Sequence, residues 1–323
     1  MAGMRAAGRR TPAGARRAAS QRGVAVITAL LIVALATIAV TGLLWRQQVQ
    51  ARMVENHLAL GQDRWLARAA IDWARLVLKE DNKNSHDHLG EVWAVPIAET
   101  RISDAQGSRD REAWLSGAIA DEQAKFNLLN LLDAAGRPDT AWIARFQRLL
   151  VLEGLSGGLA AAAAEALTAT QTVTDTSTGQ TRQPTQLPWL GVDDLGRLSG
   201  VDSAAIEKLR PFVTVLPRMT QAVTQVNCNT ASAEVLHATI DNYSASDAAR
   251  LVALRQRTPF VQTSQCTLPD KAPENAAALD VKSSFFRVTG RVRYERALLL
   301  TEALVYRESG SARTTRVLWS RED

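Results

Sequence analysis

The 323-residue sequence contains only two cysteines, Cys228 and Cys266, and four histidines. So few soft ligands leave little room for a transition-metal cage. His86-Asp87-His88 offers two imidazoles without a third ligand and reads as solvated surface. No HExxH, no phosphate-binding GxxxxGK loop and no glycine-rich dinucleotide fingerprint occurs, so the chain carries no familiar catalytic signature and is not expected to be an enzyme. The acids Asp121 and Glu122 fall in an expected turn, where solvated charge is the ordinary reading. Two cysteines are compatible with one Cys228–Cys266 disulfide if the segment lies outside the cytoplasm, and two buried thiols are the alternative.

Charge is also missing in a telling place. Residues 1–23 hold six arginines and no acid, and removing them takes the formal charge from +5 to −1. The basic character therefore belongs to a short head, not to a nucleic-acid-binding surface. Residues 24–44 then run for 21 positions without a charged side chain, the length a helix needs to cross a bilayer, with the arginines placed to stay cytoplasmic. The run is longer than a signal-peptide core, and no small-x-small cleavage site follows it.

Helical periodicity continues once the sequence turns polar. Trp45, Val49 and Met53, then Val54 and Leu58, then Trp65, Ala69, Trp73 and Leu76 or Val77 recur at spacings of three and four within each group, and no proline intervenes before Pro96. One helix from residue 24 to about residue 80 is expected, ended by the polar string at 81–88. Trp65 and Trp73 are expected in the core, and Trp45 at the membrane interface.

These residues resemble a family. A basic leader, Arg22-Gly23, and an apolar helix with an amphipathic continuation is the arrangement of type IV pilins. The resemblance implies that prepilin peptidase cuts after Gly23, leaving Val24 as a methylated first residue. Pilins usually carry glutamate at the fifth mature position, and here that position is Thr28. The segment 22–44 and Phe126-Asn127-Leu128-Leu129-Asn130 behind an acidic turn are similar to the type II secretion system protein K family, the large minor pseudopilins. An α+β fold is implied, with a pilin-like helix packed on an antiparallel sheet and a large α-helical insertion.

The remaining sequence divides accordingly into a leader at 1–23, a span at 24–44, and the amphipathic helix with the first pilin-like part at 45–136. The insertion takes 137–280 and the closing strands 281–323. Strands are expected at 91–97 and 113–120, helices within 137–168, a loop at 168–188, and short aspartate-capped helices at 191–217. A helix start is read at Asn229-Thr230, and a second helix covers 244–260. From residue 281 the period changes to two, giving two strands, with a third at 314–320.

Two further constellations are weighed. The segment 226–260 resembles a helix-hairpin-helix DNA-binding module, but its hairpin at 240–248 has no glycine to let backbone N–H groups approach phosphate, so nucleic acid is not the expected partner. The family resemblance implies a possible calcium site in the insertion. Only Asp175, Asp193 and Asp194 are available near it, too few for six oxygen ligands, and no cofactor is required. The resemblance implies an inner-membrane, single-pass protein with a periplasmic domain, partnered by the minor pseudopilins I and J, other pseudopilins and prepilin peptidase. Its expected role is to start a pseudopilus that supports export of folded proteins.

Overall fold

The computed structural model describes residues 17–102, 113–174, 180–220, 222–294, 297–308 and 314–322. Two compact units divide the chain, Met1–Gln62 and Asp63–Asp323. Helix α1, Arg17–Asp81, has 65 residues without a proline and belongs to both. Its first part is rich in alanine and leucine, which lose little side-chain freedom in a helix.

In the second unit, α1 buries Ala67, Ile71, Ala74 and Leu78. Their spacing of four, three and four makes one stripe, of which Ile71, Ala74 and Leu78 pack on the sheet residues Phe286, Val288, Ala303 and Val305. The stripe corrects the expectation for the tryptophans. Trp65 is 72% exposed and Trp73 47% exposed, because small residues bring the helix close to the sheet and the indoles stand one position out of phase.

Strands β1 (Ile97–Ile102) and β2 (Ala113–Asp121) precede the helical segment. The stretch 91–97, expected as a strand, instead holds a single 3-10 turn, Val92–Ala94, and β1 begins where that expectation ends. After β2 come β3 (Phe126–Asn127), α2 (Thr140–Leu152), α3 (Leu159–Thr168), β4 (Val173–Thr174), β5 (Thr181–Arg182), α4 (Ser203–Leu209) and β6 (Val213–Thr214). Then follow β7 (Val226–Asn227), α5 (Ala233–Thr239), α6 (Ala245–Arg257) and β8 (Leu279–Asp280). Strands β9 (Phe285–Tyr294), β10 (Ala297–Arg307) and β11 (Thr315–Glu322) close the order.

The main sheet has the order β1-β2-β9-β10-β11 and is antiparallel throughout. Strand β9 therefore sits between β2 and β10, and more than 160 residues separate β2 from β9 in sequence. Gly117 and Gly290 face each other across β2 and β9. A Cβ at Gly117 would meet the Thr289 carbonyl oxygen at 2.7 Å, and one at Gly290 would meet Thr301 Cγ2 at the same distance.

Everything from β3 to β8 lies outside that sheet. Asp139 caps α2, Asp202 caps α4, and Ser244 with Asp247 forms a capping box on α6. The start of α5 is capped by Ser232, two residues later than expected, because Asn229 and Thr230 point their side chains into buried contacts instead. The expected loop at 168–188 contains the β4–β5 ladder. One apolar core gathers Phe126, Trp142, Phe146, Leu149 and Leu167, and another gathers Cys228, Val235, Leu236, Leu251 and Leu279. Cys228 and Cys266 are paired in the second, fully buried, with Cα atoms 6.3 Å apart. Parallel two-residue ladders, β3 with β6 and β7 with β8, hold the segment's ends.

Candidate functional site

Residues Gly23–Val54 of α1 form a span long and apolar enough to cross a membrane, with mean hydropathy 2.7 over its most apolar 18 residues, none of which is buried among the described residues. Such a surface is stable only in lipid or against other apolar helices. Gly23 and Val24 lie in the helix at the start of this span. Thr28 donates its hydroxyl back to the carbonyls of Val24 and Ala25 at 3.1 and 3.0 Å. Thr37 and Thr41 donate to Val33 and Thr37 in the same way. Each threonine hydroxyl is thus satisfied within the helix, and the span presents no ionisable group between Gly23 and Trp45. Trp45 is 70% exposed at the first polar residues.

A second constellation lies where α1 ends. Arg307 of β10 is 1% exposed and donates to Asp81 at 2.7 Å, to both oxygens of Asp87 at 2.5 Å and to the Ser283 carbonyl at 2.7 Å. Its guanidinium stacks 4.6 Å from the Phe286 ring centre. Ser283 joins two carboxylates, its N–H donating to Asp87 at 2.6 Å and its hydroxyl to Asp121 at 2.7 Å. Asp121 also accepts from Thr230 at 2.6 Å, Asn227 at 3.1 Å and the Gln123 N–H at 2.8 Å. Next to it Glu122, fully buried, pairs with Lys125 and Arg287 and accepts from Thr214 at 2.5 Å. The last turn of α1, the end of β2, the start of β7 and the entry to β9 therefore meet in one polar junction.

The junction overturns two expectations. Asp121, Glu122 and Asp87 are 4%, 0% and 1% exposed, not solvated turn or surface residues. Apart from Lys125 and the Gln123 N–H, their partners lie on segments 92 to 220 residues away, which local sequence does not reveal. Burial raises the Asp121 carboxyl to about 6, against the opposing hydroxyl bonds from Thr230 and Ser283. Burial also raises Asp87 in spite of Arg307. For Glu122 the balance goes the other way: burial pushes it up, yet Lys125 and Arg287 together hold it below its ordinary value.

The other candidates are dispersed. Asp193 accepts from Arg210 at 2.6 Å, while Asp194 pairs with Arg197 at 2.7 Å and caps the N–H groups of Leu190 and Gly191. That pair is committed to arginines and backbone, and Asp175 lies outside the described residues. In the helix-hairpin-helix-like segment, the α5–α6 turn carries Asp241, which is bound by Arg145 and Arg148 of α2. The turn is turned toward protein and presents an acid. Sequence reading missed one spacing match, Gly154-x-Ser156-x-Gly158. It lies in the turn between helices α2 and α3, not at the strand-to-helix turn that a nucleophile elbow requires.

A membrane-apolar N-terminal helix whose continuation lies on an antiparallel sheet defines a pilin-type subunit, and the large segment between β2 and β9 marks it as a big minor pseudopilin. Residues 124–218 and 226–281 both match family profiles described as type II secretion system (T2SS), protein K. The chain is 32% identical over 265 residues to type II secretion system protein K of Pseudomonas aeruginosa, covering 74% of each chain. It is 27% identical over 298 residues to that of Aeromonas hydrophila, covering 82% of this chain and 87% of the relative. A solved chain in the GspK-GspI-GspJ complex from the enterotoxigenic Escherichia coli type 2 secretion system shares the fold, with TM-score 0.65 and 20% identity over 84% of this chain and 99% of that one. The chain belongs to the type II secretion system protein K family, which are structural pseudopilins.

Proposed function

We propose that this pseudopilin stands at the tip of the pseudopilus and starts its assembly, supporting export of folded proteins across the outer membrane. The observation that carries this reading is Thr28. Position five of the processed chain has a neutral hydroxyl that bonds to its own helix, so it offers no carboxylate to the terminal amine of a subunit above. A carboxylate buried in lipid is costly unless paired, and a subunit that needs no such pairing is suited to be first. In this reading prepilin peptidase cuts after Gly23, Val24 becomes the methylated N-terminus, the arginine head stays cytoplasmic and the folded unit lies in the periplasm, anchored in the inner membrane.

The partners proposed are minor pseudopilins I and J, by analogy with the complex whose K subunit shares this fold. The oxidising periplasm would keep Cys228 and Cys266 bonded. N-terminal sequencing of the chain from cells with active processing tests the core of the proposal. A methylated Val24 is the expected result, and intact peptides crossing Arg22 to Val26 would overturn it. Purification with I and J in detergent tests the partnership, and recovery of this chain alone under conditions where I and J are present would refute it.

A further inference from the structure

Asp121 ends β2, far along the chain from the processing position and the apolar span, and it occupies an unusual position. It is buried, and among the described residues no cation forms an ion pair with it. Four donors converge on it from three separate segments: Gln123 N–H beside it, Asn227 and Thr230 of the segment that opens with β7, and Ser283 before β9. Charged groups surround this centre at one remove. Asp81 and Asp87 come from the end of α1 and the loop after it, both held by Arg307 of β10. Glu122 with Lys125, just after β2, and Arg287 of β9 flank it, and Asp280 of β8 caps the Val281 N–H. Arg255 of α6 donates to the Cys228 carbonyl, Lys282 donates to Asn82 and Asn84, and His86 and His88 stack beside Asp87 with ring centres 5.3 Å apart.

The chemistry of the donors decides what the site can do. Asn227 and the Gln123 N–H can only donate, but hydroxyls donate or accept. Thr230 has a second acceptor in reach, the Asn227 carbonyl at 3.4 Å. If Asp121 takes a proton, the Thr230 hydroxyl can turn to that carbonyl and accept the new bond without any heavy atom moving. The junction is therefore built to hold either charge state. It must bury an uncompensated negative charge in only one of them, which is the costly state. We propose that Asp121 is a proton-operated latch: uptake of a proton tightens the grip of the sheet on residues 226–231, and its release loosens that grip.

The proposal is read by hydrogen exchange of the full chain in detergent, followed by mass spectrometry of peptides covering 226–231 and corrected for the pH dependence of intrinsic exchange. With the carboxyl at about 6 in the closed junction and near 3.8 when opened to water, protection should rise about tenfold between pH 7.5 and pH 5. In Asp121→Asn, which keeps the shape and leaves His86, His88 and Asp87 in place, that rise should vanish. In Ser283→Ala, which removes one bond favouring the ionised form, its midpoint should move up by about one pH unit. A rise that survives in Asp121→Asn would assign the proton to another group and overturn the latch. If Asp121→Asn fails to fold, the infrared band of a protonated carboxyl in the wild-type chain decides: growth with a midpoint near pH 6 that shifts upward in Ser283→Ala supports the latch, and absence of such a band down to pH 5 refutes it.

Discussion

Replacing Arg307 by methionine gives the sharpest test of how the junction is held together. The guanidinium is fully buried and holds Asp81, Asp87 and the Ser283 carbonyl at once. Methionine keeps contact with Phe286 but leaves the Asp87 carboxylate, 1% exposed, without its cation. Stranding one member of a buried ion pair costs about 3–5 kcal/mol, or roughly 10 °C of melting temperature for a unit of this size. The loss should also depend on pH in a defined direction. Burial already raises Asp87, and Arg307 is the main influence opposing that rise. Without it the carboxyl binds its proton still more tightly in the folded state than in the unfolded one. Stability is then gained as pH falls, and the deficit at pH 7.5 should shrink by pH 5. Adding Asp87→Asn should recover a large part of the loss, since the uncompensated charge is gone. Urea unfolding of the detergent-solubilised chain reads this well, because Trp93 is buried edge-on to Phe286 at 5.2 Å between ring centres and reports on the same locus. A single variant that loses less than about 1 kcal/mol, or a double variant as unstable as the single, would refute the account.

Three other outcomes are expected. Cys228→Ala with Cys266→Ala should lower stability by roughly 3–4 kcal/mol, because the link closes a loop with a sequence separation of 38; equal gel mobility of the wild type with and without reductant would remove the basis for it. Gly117→Ala should cost about 1–3 kcal/mol, since its new methyl meets the fixed Thr289 carbonyl at 2.7 Å, and an unchanged unfolding midpoint would contradict the close approach of β2 and β9. For Asp241, burial acts upward but the bonds from Arg145 and Arg148 prevail and hold the carboxyl below its ordinary value. Its stabilisation is present above the unfolded value near 3.8 and lost as pH falls through the lower folded one, so Asp241→Asn should flatten the acid limb of the stability curve below about pH 4, measured by thermal unfolding.

Much of the scaffold was legible because its signals are local. A charge-free run followed by spacings of three and four specified α1, and alternation after residue 281 specified β9, β10 and β11. An aspartate cap marked α4. The errors have physical causes. Trp65 and Trp73 share a period with the buried stripe but not its phase, and the true stripe uses Ala67 and Ala74, whose small size gives little hydrophobic signal. The segment 91–97 is apolar enough for a strand, yet Glu91 accepts from the His88 N–H and the Trp93 indole at 2.9 and 2.8 Å and fixes a turn there. Asp87, Asp121 and Glu122 looked like surface charge because burial of a carboxylate depends on partners that only the folded chain supplies. The pairing of Phe126 with Val213 and of Val226 with Leu279 was equally hidden, since two-residue parallel ladders leave no periodic trace.

The position of β9 in the sheet constrains the order in which the molecule can form. Until residues beyond 285 have crossed the membrane, β2 has only its neighbour β1 to bond with, and one whole edge of that hairpin faces solvent. The intervening segment has its own apolar cores and emerges first, so it can condense before the hairpin is covered. Closure of the sheet is then a late event of high contact order, slow relative to the local helices. During that interval the bare edge is open to chaperones and proteases, and a chain stopped short of β9 would be recognised by that edge and cleared.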